Sequence, residues 1–125
     1  MACTQARDCV ARLSGKEPSL RGPSPVENDE QTIGDLKARI AKTIEDLESA
    51  EAVDFDGAED RDCSVRIPDG GGVIAMNGLQ YLRSWALPHF YFHVVTAYDI
   101  LRHHGVELSK RDYMRHVGAF IRPSE

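Results

Sequence analysis

Apolar and polar positions along this chain recur with two periods, one near that of a helix and one of two residues. Cys3, Ala6, Cys9, Val10 and Leu13 fall at the three-and-four spacing of a single helical face before Ser14 and Gly15 end the run. The pattern predicts a helix ending at Gly15, with little room for a cap at its start. Prolines at 18, 23 and 25, with Ser19, Gly22 and Ser24 between them, then predict an extended loop to Asn28. Asn28 or Asp29 is placed to cap a second helix, whose apolar positions Ile33, Leu36, Ile40, Ile44 and Leu47 step by 3, 4, 4 and 3. Asp35 and Arg39 are spaced to pair on its wet side. This is the clearest amphipathic helix in the chain.

The period changes to two where Cys63, Val65 and Ile67 alternate with Ser64 and Arg66. Pro68-Asp69-Gly70-Gly71-Gly72 supplies a turn and Val73 to Met76 a returning strand, so a short hairpin is expected. Asn77 is placed to cap a helix beginning near Gly78, with Leu79, Leu82 and Trp85 as its first inward positions. Pro88 is expected to kink that helix or to separate it from the next segment. From Pro88 to His104 the chain is apolar on most of its circumference, the pattern of a helix buried among others. Gly105 ends it, and the basic tail from Val106 is expected to form a short final helix.

Length and charge narrow the class. The 125 residues, 42% hydrophobic and 28% charged, suit one globular domain over 1–125. With 15 basic against 20 acidic side chains the net charge is -5, the wrong sign for gripping a phosphate backbone, so no nucleic acid is expected as partner. No apolar stretch approaches the roughly 20 residues that cross a bilayer, so no membrane partner is expected. Met1 to Val10 holds Thr4, Gln5, Arg7 and Asp8 where a signal peptide needs an unbroken apolar run. Cys3, Cys9 and Cys63 form an odd set without CxxC spacing, which favours a reducing, cytoplasmic location over a disulfide framework or zinc ribbon.

The chemistry-bearing residues are few. His89 and His93 are four apart and share a helical face with Trp85, Thr96 and Ile100, a spacing at which two imidazoles can hold one metal. A third ligand must come from elsewhere, and Asp8, Cys9, Cys63 and His116 are the candidates; the structural alternative is a pair of satisfied helix histidines. Tyr98, Trp85 and His93 are placed to line a mostly apolar small-molecule cavity, with ordinary core packing as the competing reading. Cys9 is a nucleophile only if its thiol is acidified, and a cysteine in an apolar helical stripe is usually inert filling. The Gly70-Gly71-Gly72 run lacks the Lys-Ser/Thr of a phosphate loop.

Four segments together resemble an uncharacterised-domain family within the DinB/YfiT-like superfamily: ARLSGKEP at 11–18, DLKARIAKTIEDL at 35–47, FDGAEDR at 55–61 and ALPHFYFHVVTAYDILRHHGVELSKRDY at 86–113. The resemblance implies an all-α fold, an up-and-down helical bundle with a small β-hairpin inserted before the last long helix. It also implies an N-terminal helix before the point where this chain begins, whose absence would leave an apolar groove that favours a homodimer. Metal-binding members of the superfamily hold a divalent ion such as zinc, nickel or iron on three histidines. By that resemblance His93 stands at the family's histidine in the last long helix, His89 where relatives more often have Asn, and Asp8-Cys9 where they more often have Asp-His. The expected functions are therefore a small-molecule site beside His93, with His93, His89 and Tyr98 as acid/base or polarising groups, or a metal-dependent transferase or hydrolase on His89, His93 and Cys9 or Asp8. A non-catalytic dimerising module is the third.

Overall fold

Several helix starts in this chain are set by side chains that close on their own backbone. In the computed structural model, which describes residues 1–16, 30–67 and 70–122, the first helix α1 spans Ala2–Leu13 and stops at Ser14 before Gly15 at φ 72°. The second, α2, spans Ile33–Glu48 and starts at Thr32: the Thr32 hydroxyl accepts the Asp35 amide while the Asp35 carboxylate accepts the Thr32 amide. The cap is therefore Thr32; Asn28, Asp29 and the loop expected from Pro18 lie outside the described residues. Asp35 is spent in this cap, and Arg39 pairs instead with Glu30 and donates to Thr4 Oγ1 at 3.2 Å.

The hairpin forms as the alternation predicts. Strand β1, Val65–Arg66, runs antiparallel to β2, Val73–Ile74, with Val65 opposite Ile74 and Arg66 opposite Val73. Pro68 and Asp69 of the expected turn lie outside the described residues. Asn77 then caps α3, Gly78–Tyr81, in a box with Gln80. The chain does not break at Pro88. The helix widens over Leu82–Ala86 into one π turn, in which the Leu87 amide reaches back five residues to the Leu82 carbonyl, and continues as α4, Leu87–His103. A proline in a regular helix lacks the amide that would bond the carbonyl four residues earlier and collides with that carbonyl; the wider turn just before Pro88 accommodates both defects without ending the helix.

By its internal contacts the chain separates into two units, Met1–His93 and Val94–Glu125, with the boundary inside α4. The first unit has a small core of Leu13, Ala58, Cys63, Val65, Tyr81 and Ala86, against which Cys9 and Trp85 are partly buried. Leu79, expected to point inward, is exposed, and Tyr81 and Ala86 are buried in its place, while Leu82 and Trp85 pack against the core as expected. Two larger expectations are also corrected. α4, read from its composition as a buried helix, has no buried residue. The apolar face of α2 is turned to solvent, while α2 meets α1 through polar groups: buried Thr43, Arg39 on Thr4, and Arg7 with Asp46 at 3.5 Å.

In the second unit α4 ends at Gly105, φ 84°. The Gly105 amide donates to Arg102 and the Val106 amide to Leu101, which closes the last carbonyls in a Schellman motif. A short helix α5, Lys110–Tyr113, follows a Ser109–Asp112 capping box, and one 3-10 segment spans Arg115–Phe120. Among the described residues no helix is long and apolar enough to cross a membrane.

Candidate functional site

The histidine pair occupies the first two turns of α4, directly after the π turn. Their spacing brings them together: the His89 and His93 rings lie 4.9 Å apart between centroids at 37°, and Trp85 meets His89 edge-on at 5.6 Å. The ring of Phe92 closes on His93 at 5.4 Å, nearly perpendicular. The result is a short aromatic ladder, Trp85, His89, His93, along one side of the helix.

One atom in this ladder lacks what buried polar atoms normally have. His93 Nε2 is sealed from solvent and has no hydrogen-bond partner among the described residues. Loss of hydration holds the His93 pKa below its ordinary value, and the neighbouring His89 lowers it further. His93 is therefore a neutral imidazole near pH 7, able to donate or accept one hydrogen bond at Nε2. A shallow depression of about 300 Å³ opens beside His89, with Ser84, Trp85, Pro88 and Phe92 as its other walls. His93 is not among them, so the hollow sits one turn before the position expected from the sequence.

The other expected site residues stand elsewhere. Tyr98 belongs to the second unit, where its hydroxyl donates to the Ser109 carbonyl and its ring meets Tyr113 edge-on at 5.5 Å. It ties α4 to the segment before α5. Cys9 packs against the core of the first unit, where burial, then Cys63, then Asp8 push its thiol up to about 11. Such a thiol is protonated at neutral pH, the form that neither attacks nor ligates. Asp8 lies 3.6 Å from Arg12, whose side chain is itself buried.

Periodicity gave no signal for the central role of Arg12. On α1 it is 3% exposed, its guanidinium lies over the Tyr81 ring at 5.8 Å, and it donates to the Ser64 carbonyl at 3.4 Å. An arginine four residues from an aspartate on a helix reads as a surface pair, and only the fold shows it to be inside.

A family model described as "Domain of unknown function (DUF1993)" matches residues 1–114. The chain belongs to the DUF1993 family. It is also similar to a solved structure, a DinB family member protein from Shewanella denitrificans, at 33% identity with a TM-score of 0.73. The match covers 99% of this chain and 64% of that one, so the DUF1993 chain spans less than two thirds of the length of this relative. No curated protein matches the sequence. The resemblance read from the four segments is thus borne out, and so is the fold class: a DinB-like, all-α protein with a small hairpin before its last long helix.

The superfamily's divalent ion can be tested against these side chains. His89 and His93 supply two adjacent imidazoles, and the orphaned Nε2 is a free donor atom. Among the described residues, however, no group of three or more His, Cys, Asp or Glu comes together as a metal site. Cys9 is protonated in the core and Asp8 lies against Arg12. Two imidazoles do not complete a site for zinc, nickel or iron, which takes at least three protein ligands where it is held for catalysis.

Proposed function

We propose that this DUF1993 domain binds a small organic molecule on the Trp85-His89-His93 face of α4, with His93 Nε2 as the polar group that fixes its orientation. The observation that supports the reading is the sealed, unpartnered nitrogen beside an aromatic wall. Burying a hydrogen-bonding atom without a partner costs about 1–3 kcal/mol, and a ligand hydroxyl or amide recovers that cost on binding. The depression at His89 gives an apolar body somewhere to sit, and its volume of about 300 Å³ is at the small end of ligand sites. In any reaction on such a ligand, His89 and His93 are the acid/base or polarising groups. With a pair of imidazoles rather than a triad, the organic ligand is favoured over a metal-dependent transferase or hydrolase.

Long-range proton–nitrogen NMR of the histidine rings tests this directly, with a library of small alcohols, amides and carboxylic acids as probe. The expected hits move the His93 Nε2 resonance and lose affinity in Trp85→Ala. Hits that leave both imidazoles unmoved overturn the reading. Stoichiometric zinc, nickel or iron in the purified protein, lost in His93→Ala, would install the metal-dependent reading in its place.

A further inference from the structure

α2 carries a ridge that nothing among the described residues covers. Ile33, Leu36, Ile40 and Ile44 are 74%, 47%, 43% and 49% exposed, and they run for about 17 Å along one side of the helix. Single exposed aliphatics are ordinary; four in a helical row make a surface of the kind that docks another helix. The contact with α1 uses a different side, marked by Thr43 and Arg39.

The charges beside the ridge indicate what docks there. At about 100° per residue, Lys37 and Glu48 both fall on the edge of the ridge opposite Thr43, near its two ends. The neighbouring charges of α2 are already engaged: Asp35 in the cap, Arg39 with Glu30, Lys42 with Glu45 and Asp46. Lys37 and Glu48 have no ion pair among the described residues. One edge of the ridge thus presents a free cation toward the N-terminal end and a free anion toward the C-terminal end.

We infer that this ridge pairs antiparallel with the same ridge of a second copy of the chain. A two-fold axis across the middle of α2 sets Ile40 beside Ile44 of the second copy and Leu36 beside its Leu47. The same operation sets Lys37 against Glu48 at both ends of the contact. Parallel pairing would set this edge against the Thr43 edge of the second copy and leave Lys37 and Glu48 without each other, so the edge charges favour the antiparallel arrangement. One helical ridge per copy is a small interface, and the dimer is correspondingly weak and concentration-dependent.

Sedimentation velocity on the full chain over a wide concentration range tests the inference, with circular dichroism to confirm folding. The wild type is expected to shift from monomer to dimer as concentration rises, and Ile40→Glu, at an exposed position, to remain monomeric with unchanged helicity. Lys37→Glu is expected to weaken association several-fold, and the double variant Lys37→Glu, Glu48→Lys to restore it. A wild type that stays monomeric throughout, a dimer indifferent to Lys37→Glu, or a double variant that fails to recover overturns the antiparallel pairing. Full association of Ile40→Glu places the dimer on another surface and overturns it equally.

Discussion

Gly78 lies so close to Ala58 that a Cβ built on it would stand 1.8 Å from the Ala58 carbonyl oxygen. The contact seats the start of α3 on the turn before the hairpin, where the Leu79 amide donates to the Glu59 carbonyl at 3.1 Å. Both atoms at the clash belong to backbone, so no side chain can swing away to relieve it. Gly78→Ala is expected to cost about 3 kcal/mol in urea unfolding, although alanine is the better helix former. Gly118→Ala, whose added methyl meets nothing within 4 Å, is expected to stay within about 0.5 kcal/mol. Equal effects at the two sites would mean that α3 does not pack on Ala58.

The buried guanidinium of Arg12 leads to a second expectation. Truncation to Ala removes the cation beside Asp8, which is itself largely buried, and vacates the space over Tyr81. Removing one partner of a buried pair typically costs about 3–5 kcal/mol, more than the pair contributes as a whole. Arg12→Ala should therefore be strongly destabilising, and adding Asp8→Ala should recover part of the loss instead of compounding it. Chemical denaturation of the two singles and the double gives the coupling; strictly additive losses would show that the two side chains do not interact.

Much of this fold can be read in the residues, and what cannot has identifiable causes. Asn77, Gly105 and the 63–67 alternation announce themselves because each acts through its own backbone or its near neighbours. Thr32 as the cap of α2 is harder to read, since Asn28 has Gln31 three residues on just as Thr32 has Asp35, and both spacings can close a capping box. The π turn has no pattern of its own; Pro88 signals a disturbance without saying whether the chain kinks or widens. Burial is the least legible property. The apolar periodicity of α2 and the composition of α4 mark surfaces that want covering, but periodicity does not say whether the same chain covers them. Of the candidate site, the HxxxH spacing correctly paired His89 with His93. That Tyr98 spends its hydroxyl on Ser109, and that Cys9 is sunk beside Cys63, depends on contacts distant in sequence.

Alkaline pH should weaken this protein through its buried acids. Burial, with lesser charge effects, raises the Cys9 thiol to about 11, and burial also raises Cys63 and Tyr81 above their ordinary values. The folded chain holds these protons more tightly than the unfolded chain, whose thiols titrate near about 8.5. Stability from Cys9 is therefore complete below that pH and is lost as pH climbs through about 11. The unfolding midpoint is expected to fall over that window, and less steeply in Cys9→Ala. Iodoacetamide followed by mass spectrometry should find Cys9 slow to react at pH 8 in the native chain and fast in urea. Rapid native alkylation at Cys9 would show the thiol to be accessible and ionised.

His93 gives the opposite sign. Desolvation first, and the nearby His89 second, hold its pKa below the ordinary histidine value. The folded state resists protonation that the unfolded chain accepts near about 6.5. The contribution of His93 to stability is accordingly present above that pH and is lost as pH falls through the lowered folded value. Histidine-resolved NMR titration should place His93 below an ordinary imidazole, and His89→Ala should move it upward, since that change removes a like charge and opens the ring to water. A ligand that accepts a hydrogen bond from Nε2 should also raise it by stabilising the protonated form, whereas a hydroxyl that donates to the neutral nitrogen should lower it further. The direction of that second shift thus reports which way the hydrogen bond runs. A His93 that titrates normally, and does so equally with and without His89, would remove the physical basis for assigning this nitrogen a binding role.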